Sequence, residues 1–198
     1  MDKKISGGQI AGGNSKYKRE ENDFYATEPN TLRAFLNEFL KDNNFNGTIL
    51  EPACGQGHLS KVLEEEFPEL KVISSDLIDR GYGETGVDFL TANYDEKIDV
   101  VITNPPYSIA QEFIEKGLEV SDRLVIMLCK IQFLEGTKSQ SFFKNTPLKY
   151  VYVHSKRQNP QRGGKPLNPE GKKWSSTICF AWFVWDKTYS GEPIIRWI

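Results

Sequence analysis

The chain has few of the residues that build disulfide scaffolds, metal centres or membrane spans. Its 198 residues include three cysteines, Cys54, Cys129 and Cys179, and two histidines, His58 and His154. Three scattered cysteines make no disulfide framework and agree with a reducing compartment. Two isolated histidines form no pair with metal-ligand spacing, so packing and capping explain them as well as chemistry does. No run of about eighteen apolar residues exists to cross a bilayer. Met1-Asp2-Lys3-Lys4 leads into a Gly-rich polar stretch, not an apolar signal core, so a cytoplasmic protein is expected. There is no repeating period of the collagen or solenoid kind. What remains is the composition of one globular domain, 38% apolar, 26% charged and 12% aromatic.

A net charge of -2 hides two basic segments. Residues 1 to 20 carry Lys3, Lys4, Lys16, Lys18 and Arg19 against Asp2 and Glu20, giving +3. Residues 155 to 175 carry Lys156, Arg157, Arg162, Lys165, Lys172 and Lys173 against Glu170 alone, giving +5. The rest of the chain therefore holds -10, and a polyanion would be repelled by that body and drawn to the two segments. Solvated surface loops would give the same pattern.

Residues 1–22, with Gly7, Gly8, Gly12 and Gly13 among Lys, Ser and Asn, are expected to be a flexible basic arm, since they hold too little apolar surface to offset the entropy of ordering. From residue 23 to 198 one domain is expected. Leu32, Phe35, Leu36, Phe39 and Leu40 recur at helical spacing. Short apolar runs at Thr48–Leu50, Val72–Ser74, Ile98–Thr103 and Leu124–Leu128 then alternate with helical segments at Leu59–Phe67, Ile109–Leu118 and, more weakly, Ser139–Lys144. This alternation indicates a parallel sheet covered by helices on both faces. The rhythm breaks at Leu148–His154 and Thr177–Trp185, which read as an antiparallel hairpin whose long basic loop, residues 155–175, is either functional or disordered. The aromatic row Phe180, Trp182, Phe183 and Trp185 reads as buried sheet.

Three motifs carry chemistry. Glu51-Pro52-Ala53-Cys54-Gly55-Gln56-Gly57-His58 follows the first buried strand and opens a helix, where ligands bind in open α/β sheets. Its two glycines suit either a close backbone approach to a ligand or simply a tight turn. Asp76, about 20 residues on at the end of the next strand, can accept hydrogen bonds from a ribose, and the pair points to an adenosine-containing cofactor. The third glycine of a dinucleotide fingerprint and the Gly-Lys-Ser/Thr of a phosphate loop are both missing. Asn104-Pro105-Pro106-Tyr107 closes the strand Ile98–Thr103, and its two prolines would aim Asn104 and Tyr107 rigidly into the crevice. Upstream, Asp23-Phe24-Tyr25-Ala26-Thr27 precedes a helix that Thr27, Asn30 or Thr31 could cap.

The Asn104–Tyr107 run resembles the Asn/Asp-Pro-Pro-Tyr/Phe signature of S-adenosylmethionine-dependent amino-methyltransferases. Asp23 to Thr27 looks like the Asp-Phe-Tyr-x-Thr-Pro element of the adenine-N6 DNA methyltransferases, although Glu28 intervenes before Pro29. The spacing is similar to the small phage and prophage type: only 15 residues separate Asp88 from Asn104, and 13 follow Trp185, which leaves target specificity to loops. The resemblance implies a Rossmann-like class I methyltransferase fold, α/β with a mostly parallel seven-stranded sheet, a C-terminal antiparallel hairpin and helices on both faces. It implies S-adenosylmethionine as cofactor, held by Tyr25, Thr27, Glu51, Ala53, Gly55, Gly57, Asp76, Asp88, Phe89 and Asn104. Asp88-Phe89-Leu90 would contact the cofactor adenine, though such a dipeptide also recurs by chance.

Asn104 and Pro105 would accept the two N6 hydrogens of adenine, with Pro106 shaping the turn and Tyr107 stacking on the base, and no metal or catalytic cysteine is required. DNA, or in the alternative RNA, would be gripped by Lys156, Arg157, Arg162, Lys165, Lys172 and Lys173, with Trp174 as a second wall for a flipped-out base. No membrane partner is expected. An RNA-base or protein-glutamine methyltransferase, and an inactive methyltransferase-like binding protein, are the alternatives.

Overall fold

The computed structural model describes residues 24–176 and 178–198, and the expected basic arm at 1–22 lies outside the described residues. The described chain runs β1 (Tyr25–Ala26), α1 (Pro29–Phe39), β2 (Ile49–Glu51), α2 (His58–Glu66), β3 (Val72–Asp76), β4 (Glu84–Thr85), β5 (Ile98–Thr103), α3 (Ala110–Val120), β6 (Ser121–Lys130), α4 (Thr137–Lys144), β7 (Leu148–Val153), β8 (Gln161–Arg162), β9 (Phe180–Asp186) and β10 (Ile194–Trp197).

Period decides the packing. In β6 the side chains of Leu124, Ile126 and Leu128 fall on one face and those of Val125, Met127 and Cys129 on the other, and all six are buried. The first set packs with Leu32, Phe35, Leu36 and Phe39 of α1 and Leu59, Val62 and Leu63 of α2. The second packs with Phe113 and Ile114 of α3 and with Phe142 and Phe143 of α4. A sheet with helices on both faces has no solvated side, which is why its strands read as continuous apolar runs.

The main sheet has the order β10-β7-β9-β6-β5-β2-β3-β4. Every neighbouring pair is parallel except those of β9, which returns from β7 and inserts antiparallel between β6 and β7. The expected hairpin is therefore present, with β9 starting at Phe180 instead of Thr177. The sheet has eight strands where seven were expected. The extra one is β10, which joins β7 in parallel with Ile194 opposite Tyr150. Its four residues sit at an edge with Ile195 and Trp197 exposed, too short and too solvated to announce themselves in the sequence.

Residues 155–175 are not a structureless loop. β8 pairs with β1 in a separate two-stranded sheet. Further along, Leu167 bridges Lys173 across a turn in which Asn168 Oδ1 accepts the N–H groups of Glu170 and Lys172, both at 2.9 Å. α1 begins at Pro29 after Glu28, with no side-chain cap, so none of Thr27, Asn30 and Thr31 serves as the cap. Among the described residues no helix is long and apolar enough to cross a membrane.

Trp182 ties the hairpin to α1. Its ring stacks on Phe35 with centroids 5.2 Å apart, and its Nε1 donates to Thr31 O at 3.3 Å in full burial. Trp182→Ala is expected to cost about 3–5 kcal/mol, read as a lower midpoint in denaturant unfolding with little change of slope.

Candidate active site

β2, β3, β5 and β6 end at one edge of the sheet, and a cleft opens in the crevice there, where ligands bind in open α/β sheets. The turn after β2 shapes its floor. Gly55 and Gly57 have φ of 57° and 75°, in the left-handed region. A Cβ on Gly55 would fall 2.7 Å from Cε2 of Phe24, and one on Gly57 would fall 2.4 Å from the ring of Tyr82. Gly55 lines the cleft. Gly57 does not, and its left-handed backbone opens α2 while the ring of Tyr82 leaves no room for a Cβ.

Asp76 locks this turn to the loop after β3. Its Oδ2 accepts the Gly55 N–H at 2.8 Å and its Oδ1 accepts the Ile78 N–H at 2.9 Å. A carboxylate has lone pairs beyond these two bonds, so Asp76 can hold the turn and still accept from a ligand hydroxyl. Glu51, fully buried at the end of β2, accepts from the Ser60 hydroxyl, which accepts in turn from Ser74 Oγ at 2.7 Å. Burial is the main cause that pushes the Glu51 carboxyl up to about 8; the Ser60 bond opposes it and the nearby Asp76 charge adds to it. Cys54 is buried, with its thiol raised to about 12 by burial and by the Glu51 and Asp76 carboxylates, which is no setting for a nucleophile. Burial likewise raises Cys129, and lowers His154 to about 4.

The second wall is the segment Phe24–Thr27, a strap across the cleft mouth. Asn104, just past β5, donates from Nδ2 to Tyr25 O at 2.8 Å and to Thr27 Oγ1 at 3.0 Å. A backbone carbonyl only accepts, so the amide nitrogen must face the strap and the amide oxygen must face away from it. That oxygen, Oδ1, is buried and accepts no hydrogen bond among the described residues. Thr27 is therefore tied to Asn104 and does not cap α1.

Tyr25, Thr27, Glu51, Ala53, Gly55, Asp76, Asp88, Phe89 and Asn104 all line the cleft, as the motifs led us to expect, and so does Pro106. Asp88 is exposed and caps its own turn through Leu90 N–H at 3.1 Å, while Phe89 is buried against Phe113. Pro105 and Tyr107 lie outside the lining. The Tyr107 ring stacks on Tyr25 with centroids 5.6 Å apart and lies 4.5 Å from Lys130 Nζ, so it is not a bare platform.

The sequence reading missed Phe24, Leu77, Ile78, Arg80, Ile109 and Phe113 in this wall. Leu77 and Ile78, 55% and 36% exposed straight after the strand-end Asp76, carried a signal in retrospect, since two apolar residues on an open loop invite a flat apolar partner. Arg80, with its guanidinium 3.9 Å from the Phe24 ring, had none.

The basic loop leaves the same edge, because β7 ends and β9 begins there, with Lys130 opposite Phe180. Lys156, Arg157, Lys165, Lys172 and Lys173 are exposed. Arg162 and Trp174 are half-buried and face each other at 5.5 Å, so Trp174 is packed into the loop and stands outside the cleft wall. Among the described residues no group of three His, Cys, Asp or Glu is placed to hold a metal.

No protein-family model and no curated protein matches the chain. Solved structures do. Over 92% of this chain and 68% of the other, it matches a Listeria monocytogenes protein assigned to the class I S-adenosylmethionine-dependent methyltransferases, at 15% identity and a TM-score of 0.64. The fold is that of the class I S-adenosylmethionine-dependent methyltransferases. Magnesium protoporphyrin IX methyltransferase from Synechocystis, solved with S-adenosylmethionine bound, matches at 16% identity and TM-score 0.52 over 79% of this chain and 78% of its own. The 23S rRNA methyltransferase ErmE matches at 14% and 0.55 over 84% and 71%. On this methyltransferase fold the cleft combines an apolar slot at Leu77, Ile78 and Phe89, an acceptor at Asp76, and a buried carboxyl at Glu51 that holds its proton up to about pH 8.

Glu51 gives the fold a pH signature. Below the ordinary carboxyl value of 4.5 the group is protonated in folded and unfolded chains alike. As pH rises toward 8, only the unfolded chain releases the proton, so the folded state loses stability across that window. Glu51→Gln keeps the acceptor for Ser60 and removes the titration. The unfolding free energy of the variant should therefore gain on that of the parent from about pH 5 to 8; parallel curves would show Glu51 ionised throughout.

Proposed function

We propose that the protein is an S-adenosylmethionine-dependent methyltransferase that methylates the exocyclic N6 of adenine in DNA, of the small phage or prophage type in which loops recognise the target. The observation that carries this reading is the Asn104 amide, whose nitrogen is committed to the strap while its oxygen stays buried and unpaired. An unsatisfied buried acceptor costs roughly 1–3 kcal/mol, a cost that an acceptor amine donating an N–H there would relieve.

The cleft fits the cofactor on its own residues. Asp76 is available to ribose hydroxyls, Leu77, Ile78 and Phe89 offer apolar surface to an adenine with Asp88 beside them, and the Glu51 carboxyl, which burial keeps protonated up to about pH 8 in the empty cleft, would be drawn to ionise by a cationic ammonium group bound beside it. S-adenosylmethionine, when bound, supplies a methyl group activated by a cationic sulfur. The protein's part is positioning. Asn104 Oδ1 and the Pro105 carbonyl accept the two amine hydrogens, which draws the nitrogen toward tetrahedral geometry and directs its lone pair. Stacking of Tyr107 on a flipped-out base would require it to give up part of its contacts with Tyr25, Phe180 and Lys130. The resemblance of Asn104–Tyr107 and of Asp23–Thr27 to the adenine-N6 enzymes supports the acceptor, and the exposed cations at the same sheet edge support a nucleic acid.

The test is transfer of tritiated methyl from S-adenosylmethionine to adenine-containing duplex DNA, to RNA and to protein. DNA labelling is expected. Labelling of RNA alone would favour the second reading, which the likeness to a 23S rRNA methyltransferase fold makes the next to consider. Asn104→Ala should lower transfer by about 10²–10³-fold, the scale for one lost polar contact to a reacting group, with a much smaller change in cofactor affinity by calorimetry. DNA binding should depend on salt through the exposed loop cations. Replacing Lys165, Lys172 and Lys173 by Gln should flatten the slope of log K against log salt by up to about three units, and an unchanged slope would remove the loop from the interface.

A further inference from the structure

The strap and the basic loop, far apart in sequence, are built into one small unit. Tyr25 pairs with Arg162 and Ala26 with Gln161 in the two-stranded antiparallel sheet. The Gly163 N–H extends the contact to Phe24 O at 3.1 Å. Gly163 and Gly164 then turn with φ of 56° and 69°, and a Cβ on Gly164 would lie 2.5 Å from Gln56 Oε1 in the glycine turn, so the loop closes directly on the cleft's outer wall. Side chains repeat the connection. The Arg162 guanidinium sits 5.8 Å from the Tyr25 ring centre and 5.5 Å from that of Trp174, and Trp174 Nε1 donates to Lys165 O at 2.6 Å. Tyr25 in turn stacks on Tyr107 and holds the Asn104 amide through its carbonyl. Yet none of residues 155–175 lines the cleft.

We propose that this clamp couples the two ligand sites, with Arg162 as a positioning residue that acts on Tyr25 and, through it, on Asn104, instead of binding a nucleic-acid phosphate. The nucleic-acid half of the proposal rests on the function proposed above; the cofactor half needs only a ligand in the cleft. A two-residue pair of strands is marginal by itself, and such low-stability elements are where a ligand has most leverage. Phe24, Tyr25, Ala26 and Thr27 all line the cleft, so a ligand that orders them also orders the strand paired to them. The coupling is reciprocal: nucleic acid on the loop must tighten the cleft by the same factor. The inward, half-buried placement of Arg162 beside five exposed cations separates its role from theirs.

The experiment is amide hydrogen exchange at Gly163 with and without S-adenosylhomocysteine, followed by S-adenosylhomocysteine affinity with and without saturating adenine-containing duplex at fixed salt. In the native protein the Gly163 amide should slow at least about tenfold on adding S-adenosylhomocysteine, and the duplex should tighten that ligand at least about fivefold, the lower end of ordinary coupling. Arg162→Ala should lose most of both effects while keeping the parental salt slope for DNA. Arg162→Lys, which keeps a cation over the rings, should recover part of them and shows that the loss is not misfolding. Unchanged Gly163 exchange in the native protein overturns the proposal, and so does an Arg162→Ala variant that keeps the coupling and loses about one unit of salt slope. Protection of Gly163 without any nucleic-acid binding supports the clamp and overturns the DNA reading, so the two fail separately.

Discussion

An amide side chain has one donor end and one acceptor end, and the site depends on which way Asn104 points them. The carbonyl of Tyr25 can only accept, so it fixes the nitrogen. From that single bond follow the strap's position over the cleft, the partner of Thr27, and the burial of an unpaired oxygen where the Asn-Pro-Pro-Tyr turn meets the cleft. The two prolines matter because they restrict the backbone that carries the amide. The strap matters because both hydrogen bonds that Asn104 Nδ2 makes among the described residues go to it, and it belongs to a sheet with the basic loop.

Charge is arranged on the same plan. Asp76 and Asp88 bring negative charge to the cleft, with Arg80 as the cation in its lining, laid on Phe24. The exposed cations of residues 155–175 stand outside it. A cationic small ligand and, on the proposed function, a nucleic acid would be drawn to adjacent places on a body of otherwise negative charge. The buried Glu51 shows what this arrangement costs: with Asp76 close by and water excluded, its carboxyl holds its proton well above the ordinary range.

Much of this was legible in the sequence because the signals are local. The α/β alternation, the helix through Leu32 to Leu40, the helix Leu59–Phe67, the glycine turn and the strand-end Asp76 all follow from period and composition over a few residues. The structure has helices at Pro29–Phe39 and His58–Glu66, with Leu40 and Phe67 as their C-terminal caps. The buried aromatic row from Phe180 to Trp185 followed from the same kind of pattern.

What the tertiary structure decided are the pairings made across long stretches of chain. Thr27 looked like one of several caps for α1, yet it bonds Asn104, 77 residues away. Arg162 looked like one more phosphate-binding cation, yet it lies opposite Tyr25 in a sheet that local pattern cannot announce, since each strand is two residues long. Gly57 also makes room for the Tyr82 ring, and β10 pairs with β7 at the edge of the sheet. Period and composition specify which surface of a segment is buried, but not which distant group will meet it, because that depends on how the remaining chain closes around the sheet.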